Sequence, residues 1–444
     1  MIDKNVEKID KYLVEFEAFE KNASAAPQWI HNVRRDAIKN FSQLGFPTTR
    51  NEEWKYTNVS PLVKTELRFP EKQASRVKKE NVLFNDPSND QLWHRIVCVN
   101  GYVKDDLSAQ AILPNGVRFG SLAKALATES ELVQKHLAHY AQYDTNAFTA
   151  LSTAFIEDGI FLYIPDGVVI EQPIHLAFVS ESPNGGTIAH PRNLIVLGKN
   201  SQATIVETYQ SLSSKNSDTY FTNTVTEIAL GEDAILEHSR VDKESSNAFH
   251  ISTTRIAQSA NSRYGCTSVM AGGKLTRNNH EIVLQGEHAE CRLDGLYLAR
   301  GAQHVDNHTV VDHRVPNCTS REYYKGIMDG ESRAVFNGKV FVRQDAQKTD
   351  AQQTNKNLLL SDNAVVDTKP QLEIYADDVK CTHGATVGQL DEDSIFYLRA
   401  RGIGTEMARR MLTYGFATEI IETIALEPVR QYLEKSISED FHIG

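Results

Sequence analysis

A cysteine and a histidine two residues apart can bind one metal ion or share one reactive sulfur. This chain of 444 residues carries such a pair in Val379-Lys380-Cys381-Thr382-His383-Gly384. In an extended segment Val379, Cys381 and His383 point to one side, with α-carbons two apart lying about 6.5–7 Å from each other. Thiolate and imidazole could then converge on one metal atom, but two ligands do not close a tetrahedral site. Completion requires ligands from a second chain, and Gly384 would let that chain's backbone come close. Asp377 and Asp378 stand nearby and equally suit a turn. By residue type alone, a structural cysteine beside a surface histidine is the simpler account.

A second cluster occupies His304-Val305-Asp306-Asn307-His308-Thr309-Val310-Val311-Asp312-His313. On a strand, His304, Asp306, His308 and Asp312 share a face that could hold a divalent metal with nitrogen and oxygen ligands. His313 falls on the other face, and hydrogen-bonded ladder residues explain the pattern more simply. Other catalytic signatures fail on their own chemistry. Gly273-Lys274 and Gly338-Lys339 look like the end of a phosphate loop, but Leu275 and Val340 replace the Mg²⁺-binding hydroxyl and the upstream glycines are missing. His280-Glu281 begins a zinc-protease motif that has no second histidine. No nucleophile elbow, EF-hand or dinucleotide fingerprint is present.

The elements that must position these residues change type along the chain. Val6, Ile9, Leu13 and Phe16 recur at helical spacing, and Ile30, Val33, Ala37 and Phe41 do so again. Gly45 suits a left-handed cap and Pro47 stops the second helix. The charged segment Glu52-Glu53-Trp54-Lys55-Tyr56-Thr57 follows, and one further helix is predicted from Leu122 to about His139. From about Asp158 to Tyr375 short β-branched runs take over, among them Ile160–Ile164, Leu194–Leu197, Thr204–Thr208 and Ile282–Leu284. A degenerate repeat of strand, Gly/Asn/Asp turn, alanine and strand recurs at Leu197, Leu230, Leu284 and Leu360. Repeated strand–turn units without interleaved helices indicate a β-helix in preference to a sandwich. Helical spacing returns after Asp391 as a domain of four short helices, with Thr405 as a cap, placed to close one end of the solenoid. The expected layout is an N-terminal helical region over 1–90, a mixed connection over 91–157, a β-helix core over 158–388 and a helical domain over 389–444.

The totals exclude several roles. A net charge of −11 disfavours nucleic acid and anionic membrane as partners. The most apolar stretch, Gly159 to Val179, is broken by prolines and charges, so no membrane span is expected, and the N-terminus lacks the layout of a secretory signal. Five scattered cysteines without a CxxC pair fit a reducing compartment, and the cytoplasm is the expected location.

Against this background a set of segments resembles the SufB/SufD family of iron–sulfur cluster assembly proteins. They are Ser320-Arg321-Glu322-Tyr323-Tyr324-Lys325-Gly326, Arg333-Ala334-Val335-Phe336-Asn337-Gly338, Asp345 to Ala351, Asn357 to Ser361 and Ala376 to Gln389. The likeness is densest from about Gly301 to Ile424 and looser elsewhere, reaching the segment at 52–57. The SufB branch has a cysteine in a Thr-Gln-Cys-Asp context where this chain has Thr354, Asn355, Lys356 and Asn357, so the chain is more similar to the SufD branch. The resemblance implies a mainly β architecture, a right-handed parallel β-helix flanked by helical regions at both ends. It implies a non-catalytic scaffold that pairs with a SufB-like subunit and docks a SufC-like ATPase through its C-terminal helices. It further implies that Cys381 and His383 contribute to a transient iron–sulfur cluster or iron site shared with SufB, and that the assembly takes up iron and binds reduced flavin. No flavin site can be located in the sequence. Two other readings remain at this point: a β-helical, metal-dependent enzyme acting on a polymer through the His304–His313 face, and a purely structural homodimer, which is also a state the subunit could adopt in isolation.

Overall fold

The computed structural model describes residues 4–23, 26–70, 75–84, 93–109, 112–182, 185–212 and 218–440. Helices α1 (Lys4–Asn22), α2 (Gln28–Leu44) and α3 (Ser60–Lys64) come first, with short 3-10 turns at Glu52–Trp54 and Lys79–Asn81. Strands β1 (His94–Val99), β2 (Tyr102–Ala109) and β3 (Arg118–Ser121) precede α4 (Leu122–Thr128), α5 (Ser130–Gln134) and α6 (Ala147–Ala154). Then come β4 (Ile160–Ile164), β5 (Ile174–Ser180), β6 (Thr187–Ala189), β7 (Arg192–Leu197), β8 (Gln202–Ser211) and β9 (Tyr220–Leu230). They are followed by β10 (Ile235–Lys243), β11 (Phe249–Gln258), β12 (Arg263–Met270), β13 (Leu275–Leu284), β14 (Glu290–Ala299) and β15 (His304–His313). The last strands are β16 (Thr319–Met328), β17 (Arg333–Val342), β18 (Asp350–Leu359), β19 (Val365–Ile374) and β20 (Lys380–Gly388). Helices α7 (Glu392–Arg399), α8 (Thr405–Ile421) and α9 (Glu427–Asp440) follow. Among the described residues, no helix is long and apolar enough to cross a membrane.

From β7 onward the chain alternates between two sheets, pairing each strand in parallel with the next but one. One sheet runs β2-β1-β5-β8-β10-β12-β14-β16-β18-β20 and the other β19-β17-β15-β13-β11-β9-β7-β4-β3. This is a parallel β-solenoid. Its first sheet already includes β1, ahead of residue 158, where the sequence changes period. Tyr264 lies beside Cys291, Cys291 beside Ser320 and Ser320 beside Ala351, so one circuit takes about 30 residues. The unshifted register keeps each side chain on the same face from coil to coil, because the side-chain period of a strand is two.

The corner leading from the second sheet to the first explains most of the repeat. Asn200, Asp233, Asn261, His288, Asn317 and Lys348 occupy it in successive coils, all with φ between 54° and 63°. Asn and Asp tolerate this left-handed conformation better than other side chains. A small buried residue follows each one: Ser201, Ala234, Ser262, Ala289, Cys318 and Thr349. The fourth expected repeat unit, Leu360 to Ala364, lies at the opposite corner, between β18 and β19. It shares the turn chemistry but not the position.

The solenoid interior is apolar over much of its length, with Ile205, Leu236, Ile256, Ile282, Leu293 and Val311 in one cluster. Tyrosines fill part of the width, and glycines make room for them. A Cβ on Gly295 would stand 2.2 Å from the ring of Tyr324, and one on Gly326 would stand 2.1 Å from the ring of Tyr297.

Helices cover both outer faces. Phe16, Phe41, Phe148 and Phe155 of the N-terminal region pack on Phe221, Phe249 and Leu275 of the second sheet. Ile395, Ala417, Ile420, Ile424 and Leu433 pack on Val241, Val269, Leu296, Ile327 and Leu358 of the first. Each fully buried aliphatic side chain there contributes about 1.5–3 kcal/mol. The C-terminal helices therefore flank the solenoid and do not close its end. They number three among the described residues, because Met407 and Ile420 belong to the same helix, and Gly404 rather than Thr405 is the cap of α8. The helix expected over 122–139 is broken at Glu129 into α4 and α5. Apolar periodicity marks faces well but cannot register a one-residue break in the backbone hydrogen bonds.

Candidate functional site

The last coil of the solenoid, β19 and β20, is left uncovered. Every residue of β19 is partly or fully exposed, and from Thr382 to Gly388 every residue of β20 is exposed. Coils further back hide nearly all their residues, as β13 and β15 do. The difference follows from position alone, since no described strand or helix continues the stack beyond β20.

Cys381 and His383 sit on this coil and belong to two inward-facing columns. Cys381 continues Leu236, Tyr264, Cys291, Ser320 and Ala351, and His383 continues His238, Cys266, Leu293, Glu322 and Gln353. The spacing of two thus does what it promised, placing both side chains on the side of the core. Cys381 is half-buried against Val340, Val342, Ala346 and Ala351. Burial raises its thiol above the ordinary value, against the opposing hydrogen bond from the Ala351 backbone. His383 is exposed, and a Cβ on Gly384 would meet nothing within 4 Å. Asp378 is a turn residue: its backbone N–H bonds Gln347 Oε1 at 2.9 Å and its carboxylate pairs with Lys348. Among the described residues no three His, Cys, Asp or Glu side chains gather at metal-binding distance. The pair at the open end is a thiol and an imidazole with accessible space beside them.

A deeper Cys–His approach escaped the sequence reading. Cys266 Sγ lies 4.0 Å from His280 Nε2 inside the solenoid. Burial pushes the thiol up to about 12 and the imidazole down to about 3, so both stay neutral and unreactive. Their separation of fourteen positions crosses from one sheet to the other, which no local spacing rule detects. Between this pair and the open end lies Glu322, fully buried and pushed up to about 7 by burial. Thr309 Oγ1 and Gln353 Nε2 donate to its Oε2 at 2.7 and 3.1 Å.

The His304–His313 face is occupied by the chain itself. Thr57 Oγ1 donates to Asp306 Oδ2 at 2.5 Å and receives His304 Nε2 at 2.9 Å. Arg277 Nη1 bonds Asp306 Oδ2 and the Glu53 carbonyl, each at 2.7 Å, while its guanidinium lies 3.8 Å from the centre of the Trp54 ring. His308 approaches Asp306 at 3.0 Å and Glu53 at 3.5 Å. Burial alone would raise Asp306, but Arg277, His308 and Thr57 outweigh it and hold the carboxyl far below its usual range. The hydrogen bond with His308 holds Glu53 at about 2, helped by the charges of Lys339 and Arg277. Asp312 pairs instead with Arg314 and Arg343. The cluster is a latch that docks the 52–57 segment onto the second sheet. Of the other motif fragments, Gly338 lies in mid-strand and Glu281 is paired to Arg255.

Comparison with known proteins gives this geometry its setting. The family model described as SUF system FeS cluster assembly, SufBD core domain, matches residues 178–416, and that of the SufBD protein N-terminal region matches 6–176. An iron–sulfur cluster assembly SufBD family protein of Synechocystis is 35% identical over 412 residues, covering 92% of this chain and 90% of the relative. The iron–sulfur cluster assembly protein SufD of Escherichia coli is 30% identical over 422 residues, covering 92% and 95%. The SufD protein of Bacillus subtilis is 27% identical over 422 residues, covering 92% and 93%.

Proposed function

The chain belongs to the SufBD family of iron–sulfur cluster assembly proteins, and on that premise we propose that it is a SufD-type scaffold subunit, without turnover of its own, working in the cytoplasm. The carrying observation is the pair Cys381 and His383, turned toward the core on the last coil, where no described strand or helix continues the stack beyond β20. Two ligands cannot hold a cluster or an iron ion alone. A SufB-like subunit seated on the open coil would supply the others, continue the sheet edge and remove water from the site. The same exposed edge would pair two copies of this chain when the partner is missing.

Iron and the growing cluster are cargo in this reading. Cys381 is held as a thiol by its half-buried position, and a metal ion binds the thiolate, so iron entry releases a proton. His383 would add a nitrogen ligand from the next inward position of the strand. The exposed Phe396, Tyr397 and Met411 of α7 and α8 support docking of a SufC-like ATPase on the C-terminal helices. Lys325 could relay such docking inward: it is buried in the first sheet beneath α8, pairs with Glu419 at 2.7 Å and lies 3.9 Å from the centre of the Phe416 ring. Reduced flavin is assigned to the assembled complex and to no residue of this chain.

The test is reconstitution with SufB-like and SufC-like partners. His383→Ala is expected to leave the complex intact in a pull-down and to slow cluster formation about tenfold or more. Unimpaired cluster formation by that variant would remove His383 from the site. Failure to recover any complex with the wild-type chain would overturn the scaffold reading itself.

A further inference from the structure

Two polar side chains hidden behind the open coil share an unmet hydrogen-bonding need. Glu322 and Gln353 occupy the inward column that ends in His383, at two rungs and one rung before it. Both are almost completely buried. Gln353 Nε2 and Thr309 Oγ1 donate to the same carboxyl oxygen, Glu322 Oε2. Glu322 Oε1 and Gln353 Oε1 are buried with no hydrogen-bond partner among the described residues. A carboxylate oxygen and an amide oxygen can only accept, so an ionised Glu322 strands two acceptors on neighbouring rungs. A proton on Glu322 Oε1 satisfies both. It makes that oxygen a donor for Gln353 Oε1 and, with the bond from Nε2, closes a reciprocal acid–amide pair. Gly338 of the facing sheet leaves room for the pair, since a Cβ there would stand 2.1 Å from Gln353 Nε2.

The surroundings favour the same protonation state. Among the described residues no cation offsets the burial of this carboxyl, which is pushed up to about 7. The thiol of Cys291 on β14 and the hydroxyl of Tyr324 on β16 feel its charge, and burial holds both protonated. His313 of β15, bonded to Ser320, is pushed down to about 4 and stays neutral. Thr309, Gly338 and Gln353, from β15, β17 and β18, carry no charge. A full positive charge can reach this column at the open coil. Two rungs of about 4.8 Å put Glu322 about 10 Å from the His383 position, through an interior that screens charge far less than water does. A divalent metal held there favours the carboxylate, and the neutral acid weakens metal binding by the same factor. Resting on the reading of Cys381 and His383 as metal ligands, we propose that Glu322, a positioning residue that touches no metal, regulates their site: Gln353 holds it as the neutral acid while the coil is empty, and it gives up its proton when a divalent metal is loaded. Loading then sends two protons from this chain to the buffer, one from the Cys381 thiol and one from Glu322.

Cobalt(II), whose bond to thiolate has its own absorption band, is the probe. It is titrated into the complex of this chain with a SufB-like subunit from about pH 5.5 to about pH 8, where the slope of log affinity against pH counts the protons released. Glu322→Gln keeps a reciprocal pair, amide with amide, so its assembly with the partner should match the wild type. Below about pH 7 the wild type is expected to gain up to about tenfold more affinity per pH unit than the variant, and above it the slopes should merge. In the chain alone, infrared spectra should show a protonated-carboxyl band at about pH 5.5 that fades by about pH 8.5 and is missing from Glu322→Gln. Equal slopes in the two proteins, or no such band in the wild type at low pH, would overturn the proposal and leave Cys381 and His383 in place. A thiolate band that never appears, or that survives Cys381→Ala unchanged, would instead remove Cys381 from the site and this proposal with it.

Discussion

At the level of single residues, Glu322 is the side chain whose surroundings and charge conflict most. Burial pushes its carboxyl up to about 7, with the bonds from Thr309 and Gln353 opposing. A raised folded-state value means that the proton stabilises the fold. That contribution is complete below the ordinary carboxyl range near 4.5 and is lost as pH rises through about 7. Glu322→Gln keeps the shape without the titration. Its thermal midpoint is expected to exceed the wild type at about pH 8, by an equivalent of about 2–3 kcal/mol at most, and the gap should close toward about pH 5. Parallel pH profiles for the two proteins would show that Glu322 does not titrate in this window. Cys381 is raised by the same cause but lies at the surface end of its column, where a metal can reach it. The two residues were equally visible in the sequence. What was not visible is depth, since a position on the inward face says nothing about how many coils lie above it.

Among the elements, the docking of 52–57 on the second sheet concentrates the most buried charge. Arg277 and Asp306 are both almost fully buried and pair at 2.7 Å. Asp306→Ala would leave the Arg277 guanidinium buried without its partner, and breaking such a pair costs about 3–5 kcal/mol. The expected result is a lower denaturation midpoint together with faster proteolysis near residues 50–57, because the Thr57 hydroxyl, which His304 also bonds, loses its acceptor as well. A variant with wild-type stability and an uncut segment would mean that aromatic packing through Trp54 alone holds the docking. The sequence presented both halves of this contact as anomalies, a segment too charged for a core helix and a strand too rich in His and Asp. About 250 positions separate them, and charge patterning offers no way to match partners over that distance.

On the scale of the whole molecule, the solenoid is covered along its sides and open at β20. Amides on the free side of β20 have no described strand to bond, so their exchange with solvent should be orders of magnitude faster than that of β10 to β16. Adding the partner subunit in hydrogen-exchange mass spectrometry should protect 380–388 while leaving the middle coils unchanged. Protection that appears only on α7 to α9 would move the subunit contact away from the open coil.

The amino-acid sequence by itself determined the helical ends, the change to strand period, the recurrence of strand–turn units and the shared face of Cys381 and His383. These are local properties, set by φ/ψ preference and by which side successive residues point to. That one Cys and one His cannot close a tetrahedral site by themselves was also legible, because the number of donor side chains does not depend on the fold. Tertiary structure alone decided that the pair lies on the uncovered coil, that the His304–His313 face is filled by residues 52–57, and that the C-terminal helices flank the solenoid instead of capping it. Those outcomes depend on which apolar and charged faces meet across hundreds of residues. Periodicity specifies that a face exists; only the folded stack of coils specifies what covers it.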